Sequence, residues 1–462
     1  MVFSSLTFLY LFLPASLALY RVCPARLKNA ALLTASLLFY FYGEPRYTAL
    51  LVFSALSDYL HARYIGRRRG TPAAKRALVS SIALNIAILA VFKYADLLLG
   101  AVNAVTGASL PLPRLPLPLG VSFFTFQTMS YTIDVYRGDA TPERSLPAFA
   151  AYVTMFPQLV AGPIVRYTEV QAALHGAPAP SGRFARGAWR FCIGLGKKVL
   201  LANLLGELWR ALAAAPVCAA GAWGMAVAFM LQIYFDFSGY SDMAIGLGAL
   251  FGFDFPENFD YPYTAVSVTD FWRRWHKTLS RWFRDYLYIP LGGSRVSKSK
   301  HIRNLLLVWT ATGLWHGARV NYALWGLYFA LLLILEKYVL RGALARLPAW
   351  LCLVYTQLCV LLGFVLFQNE SLPALWTQLS AMFGGAPLAD AAAVYALFSY
   401  RALLLAAAVC CTPLPARFFR ALAARLPACA PWLRAVFAAL LVLVSTALLV
   451  DGSFNPFLYF RF

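Results

Sequence analysis

The sequence predicts an all-α, polytopic integral membrane protein, on three observations. Of 462 residues, 61% are hydrophobic and 13% charged, whereas soluble domains run near half apolar and a quarter charged. The apolar residues gather in stretches approaching the roughly 20 that a helix needs to cross a bilayer core. Lys and Arg number 40 against 19 Asp and Glu, a formal charge of +21, and these cations sit in short runs between the apolar stretches. That is the pattern of cytoplasmic loops in a multi-span protein. A soluble enzyme of ordinary composition is excluded, and the charge points to a lipid bilayer as partner, with no nucleic acid.

Along the chain, candidate spans lie at 3–20, 30–43, 47–65, 77–95, 119–136, 147–165, 188–212, 221–250, 303–318, 321–340, 349–367, 390–411 and 432–450. Allowing for short, tilted and re-entrant pieces, about 10–12 true crossings are expected within one membrane domain over 1–462. No internal repeat is detectable. The first stretch has no cation before its apolar core, and Arg21, Arg26 and Lys28 follow it, so it reads as a retained span and not a cleaved signal. Arg67, Arg68, Arg69, Lys75 and Arg76 mark one loop as cytoplasmic, as do Arg417, Arg420, Arg425 and Arg434 before the last span. The tail 451–462 should then face outward. The loop 101–118 holds Pro111, Pro113, Pro116 and Pro118, too many for a helix, and is expected outside.

The stretch 253–303 is the least membrane-like. Phe271, Trp275, Leu279, Trp282 and Tyr286 recur at the spacing of one face of an amphipathic helix, interleaved with Arg273, Arg274, Lys277, Arg281 and Arg284. Thr269 and Asp270 are candidate caps. This helix is expected to lie at the cytoplasmic interface or to cover a cavity, with His276 in its middle.

Five histidines are present: His61, His175, His276, His301 and His316. His61, His175 and His301 border basic or Gly- and Pro-rich loops and read as solvated. His316 ends an apolar segment, and an ionisable group there is a functional hypothesis by default. A histidine held neutral in apolar surroundings can accept a proton. Gly313 and Gly317 beside it leave room for a substrate or another backbone. His276, 40 residues earlier, reads either as its companion or as an interfacial hydrogen-bonding residue. No third ligand presents itself for a metal. The eight cysteines have no C-x-x-C pair and read as small core residues. Asp236 and Asp242, with Ser238 and Tyr240, lie in an apolar stretch. They read either as an ion site in a transporter or, preferably, as partners of nearby arginines that shape a tunnel.

Five motifs together resemble the membrane-bound O-acyltransferase family, in its bacterial alginate O-acetyltransferase branch. They are Phe156-Pro157-Gln158-Leu159-Val160-Ala161-Gly162-Pro163-Ile164 with Arg166, and Asp236-Phe237-Ser238-Gly239-Tyr240-Ser241-Asp242. A third runs from Phe271-Trp272-Arg273-Arg274-Trp275-His276 to Gly292-Gly293; the others are Gly313-Leu314-Trp315-His316-Gly317 and the closing Asn455–Phe462 stretch. The resemblance covers nearly the whole chain. It implies a bacterial cytoplasmic (inner) membrane protein in which helices ring a central tunnel, with His316 catalytic and His276 auxiliary. Arg273, Arg274, Trp275, Lys277, Asp236, Ser238, Tyr240, Asp242 and Trp315 would line the tunnel or bind the donor. It further implies an acetyl-CoA donor with no bound cofactor or metal, and an acetyl group ending on an extracytoplasmic polysaccharide, alginate-like or peptidoglycan. Delivery would pass through an exported SGNH, hydrolase-like transferase. The family commonly has an arginine after Phe367; here stand Gln368 and Asn369.

Phe457, Tyr459 and Phe462 form an F-x-Y-x-x-F pattern, similar to the tail of the small partner in teichoic acid D-alanylation. Tyr459 is accordingly expected either to carry the acyl group or to anchor the tail at the interface. Two other functions fit the composition. One is a lipid-modifying acyltransferase using the same histidine. The other is a polysaccharide or lipid transporter, which the lack of paired half-repeats disfavours.

Overall fold

The computed structural model describes residues 2–177, 181–452, 455 and 458. It is all-helical, with no strand among the described residues. Among the described residues, five helices are long and apolar enough to cross a membrane: Pro72–Thr106, Ala219–Leu250, Val320–Leu344, Ala349–Gln368 and Ala430–Asp451. A bent pair, Ala391–Ser399 and Arg401–Cys410, meeting at 53°, makes a sixth if counted as one span. Helices of this length and hydropathy make this a multi-pass membrane protein.

The chain groups into two units, Met1–Phe191 with Met243–Pro256, and Cys192–Asp242 with Glu257–Phe462. In the first, Thr48–Arg67, Pro72–Thr106 and Val121–Arg137 pack on one another. Thr71 caps the second of these by accepting from the Ala74 N–H, with Pro72 at its first position. That helix runs 35 residues, well beyond 77–95, so the non-helical proline segment starts only after Gly107. Val121–Arg137 is buried along most of its length despite Thr125, Gln127, Thr128 and Asp134. Its hydroxyls therefore bond inward, as Thr128 does to Asn85 and Thr125 to the Val121 carbonyl.

The expected span 147–165 is not one helix. Leu146–Thr154 ends at Met155, whose ψ of 107° turns the chain, and only Phe156–Leu159 is helical beyond it. Pro157, Gly162 and Pro163 account for the break. The irregular backbone is tolerated because it is buried in protein. Phe156 sits among Phe8, Phe12 and Phe39, and its N–H donates to Ser36 Oγ.

The second unit holds the residues of the candidate active site. Its centre is an antiparallel pair, Lys298–His316 and Val320–Leu335. A Cβ on Gly313 would lie 2.3 Å from the Tyr322 carbonyl oxygen, and one on Gly326 would lie 2.3 Å from that of Trp309. The two helices touch backbone to backbone there, as small residues permit in membrane helices. The room at Gly313 is thus taken by another backbone.

Candidate active site

A cavity of about 690 Å³ runs along this helix pair. His301, Leu305, Val308, Thr312 and His316 line it from one helix, at the spacing of a single face. Fifteen residues separate the two histidines in sequence, about 22 Å at 1.5 Å per residue. The cavity is therefore elongated and chemically polarised. Lys337 Nζ lies 3.3 Å from His301 Nε2, with Arg341 of the same lining four residues on, while His276 shares the Trp315 ring with His316, at centroid distances of 6.2 and 4.9 Å. His316 is buried among aromatic rings, with centroids 4.9 Å from Trp315, 5.1 Å from Trp325 and 5.3 Å from Phe367.

His276 is not in the middle of a helix. Val268–Arg274 ends at Trp275 in extended conformation, His276 takes left-handed φ 43° and ψ 53°, and a new helix runs Lys277–Phe283. Such a backbone costs a non-glycine residue about 1–3 kcal/mol and persists only where its surroundings hold it. Asn258 does the holding. Its backbone oxygen accepts the Lys277 N–H, and its Oδ1 accepts the Thr278 N–H and hydroxyl. The same Oδ1 lies 3.0 Å from His276 Nδ1. Since a backbone N–H can only donate, this atom is an oxygen, so His276 Nδ1 carries the proton and Nε2 the lone pair. Burial pushes the imidazole down, to about 3, and keeps it neutral at physiological pH.

The caps also differ from expectation. Ser267 Oγ accepts the Asp270 N–H, and Glu336, buried, accepts the Val268 and Thr269 N–H groups and the Thr269 hydroxyl. A carboxylate at a helix N-terminus complements its dipole and ties this segment to the Val320–Leu335 helix. Glu336 escaped the sequence reading, although a lone carboxylate ending an apolar run is a signal. His301 is buried, not solvated. Its ring nitrogens lie 2.8 Å from the Tyr288 and Tyr338 hydroxyls.

Among the other expected site residues, Arg273 and Trp275 line the cavity. Arg274, Lys277 and Trp315 do not: Arg274 pairs with Asp270 at 3.0 Å, and the Trp315 ring lies 6.2 Å from that of His276 and 4.9 Å from that of His316. Both carboxylates are partnered by lysines of the short helix Lys197–Asn203. Lys198 lies 2.6 Å from Asp236 and Lys197 lies 2.7 Å from Asp242. Asp236 also accepts the Leu458 N–H at 2.8 Å, and Asn203 donates to Asn455. The described tail residues thus dock within this unit, Leu458 on the helix that carries Ser238 and Tyr240, both buried, and Asn455 on Lys197–Asn203. Tyr459 lies outside the described residues.

Residues 141–367 match the family model of the membrane-bound O-acyltransferases. The chain is 40% identical over 393 residues to a probable alginate O-acetylase, AlgI, of Azotobacter vinelandii, covering 83% of this chain and 78% of that protein. The AlgI of Pseudomonas putida is 37% identical over the full length of both chains. The chain belongs to the membrane-bound O-acyltransferase family. A peptidoglycan O-acetyltransferase of Helicobacter pylori is 32% identical, covering 83% of this chain and 80% of that protein. In this membrane O-acyltransferase, Gln368 and Asn369 stand where the resemblance leads one to expect an arginine. Both donate to Gln378 Oε1, at 2.7 and 2.8 Å, while Gln368 accepts from the Trp209 indole. Neutral amides here form a closed polar network.

Proposed function

We propose that this acyltransferase moves an acetyl group from cytoplasmic acetyl-CoA through the cavity to His316, for delivery to an extracytoplasmic polysaccharide from the bacterial inner membrane. The observation that carries this reading is the polarised cavity, basic at the His301 end and aromatic around His316. An elongated donor with an anionic head and a thioester at the end of a long arm suits those two ends. Lys337 and Arg341 attract the phosphates. The ring of His316 accepts the proton of the attacking hydroxyl as its oxygen bonds to the thioester carbonyl carbon. The carbon–sulfur bond then breaks, and the thiol leaves with a proton. A positioned base of this kind gives about 10² to 10⁴ in rate, and holding both reactants at one ring adds an orientation term. His276, anchored by Asn258, supports this end of the cavity.

The acceptor hydroxyl is assigned to Tyr459, supported by the docking of the neighbouring Leu458 on Asp236. An exported SGNH, hydrolase-like transferase would pass the acetyl group on to an alginate-like glycan or peptidoglycan, as the names of the relatives suggest. The test is to supply inverted membrane vesicles with acetyl-labelled CoA and follow the label. It is expected on this chain and then on the glycan, and to vanish from both in Tyr459→Phe. Label on lipid, or undiminished transfer in Tyr459→Phe, would contradict the route.

A further inference from the structure

A second cavity, about 810 Å³, opens in the first unit between Thr48–Arg67 and Pro72–Thr106. Its lining is basic. Arg63 and Arg67, four apart on one helix face, and Arg76 from the other helix line it, together with His61, Tyr59 and Ser80. Among the described residues none of these three arginines makes an ion pair. Arg63 donates to the Arg144 carbonyl oxygen and lies against Tyr59, while Arg67 and Arg76 are exposed. The only carboxylate on the first helix, Asp58, is buried and engaged by Ser81 and Asn85. It does not neutralise the pocket.

Apolar side chains continue from the basic mouth along both helices. Phe53, Leu56 and Leu60 on one, and Val79 and Ile86 on the other, are each more than 40% exposed. A basic pocket opening onto bare apolar helix faces at the level of a cytoplasmic basic turn fits one chemical class. We propose that it binds an anionic phospholipid, its phosphate on Arg63, Arg67 and Arg76 and its acyl chains along the exposed faces. Guanidinium groups hold phosphate oxygens in paired hydrogen bonds. Basic pockets between membrane helices on the cytoplasmic side take anionic headgroups. This site is independent of the acyl-transfer reading and uses none of its residues.

Native mass spectrometry of the detergent-purified full chain tests it. Phosphatidylglycerol, phosphatidylcholine of the same acyl chains and inorganic phosphate are compared as probes. Phosphatidylglycerol is expected to bind preferentially and to raise the unfolding midpoint. Arg67→Gln with Arg76→Gln should weaken it about 25-fold, at roughly fivefold per surface cation. Arg417→Gln with Arg420→Gln, in a basic cluster of the other unit, should change nothing. On the unaltered protein, high salt should collapse the preference, because exposed charges are screened. Equal binding of the two lipids, an unweakened Arg67/Arg76 variant, or a salt-insensitive preference would overturn the proposal. Stabilisation by inorganic phosphate equal to that by lipid would do the same, since the site would then be one for the free anion.

Discussion

His276 and His316 stood out in the sequence because a chain with five histidines placed two of them in apolar or aromatic surroundings. What orients His276 did not stand out. Asn258 lies 18 residues away in a stretch without periodicity, and only the folded backbone brings its Oδ1 to the ring. The pairing of Asp236 was likewise misassigned. Lys198 shares no short-range pattern with it, and arginines nearer in composition looked like partners. The buried Lys198–Asp236 pair gives a stability prediction. Removing one charge of such a pair costs about 3–5 kcal/mol, because the other stays buried uncompensated. Lys198→Met should therefore lower the unfolding midpoint sharply. Lys198→Met with Asp236→Asn should recover most of it, since the amide oxygen still accepts the Leu458 N–H. Equal loss in single and double variants would show that the pair is not the source.

Among elements, those with strong hydropathy were legible, and those broken by local chemistry were not. The apolar runs near 349–367 and 432–450 became the helices Ala349–Gln368 and Ala430–Asp451. The amphipathic spacing at 271–286 is real on each side of His276, yet periodicity cannot register a left-handed residue between two short helices. Nor can it register the stop at Met155, which proline and glycine impose after an apolar start. The contact of Lys298–His316 with Val320–Leu335 is where packing bears most directly on chemistry. Gly313→Val would drive a side chain into the Tyr322 carbonyl and push the helices apart, at a cost of about 1–3 kcal/mol or more. It is expected to lower both the unfolding midpoint and acyl transfer, while Leu314→Val, on the exposed side, leaves both unchanged. A silent Gly313→Val would mean that the close crossing is dispensable.

For the molecule as a whole, composition established a membrane protein and position established where its charge and aromatic excess are used. Cations at Lys337 and Arg341 and rings around His316 end up at opposite ends of one cavity, an arrangement no one-dimensional pattern encodes. The central claim is that His316 accepts the proton in acyl transfer. Its most direct test is the turnover of acetyl-labelled CoA by purified His316→Ala, with the unfolding midpoint measured alongside. The account predicts a fall of about 10² to 10⁴ in rate with the midpoint unchanged. Turnover equal to that of the unaltered protein would contradict it.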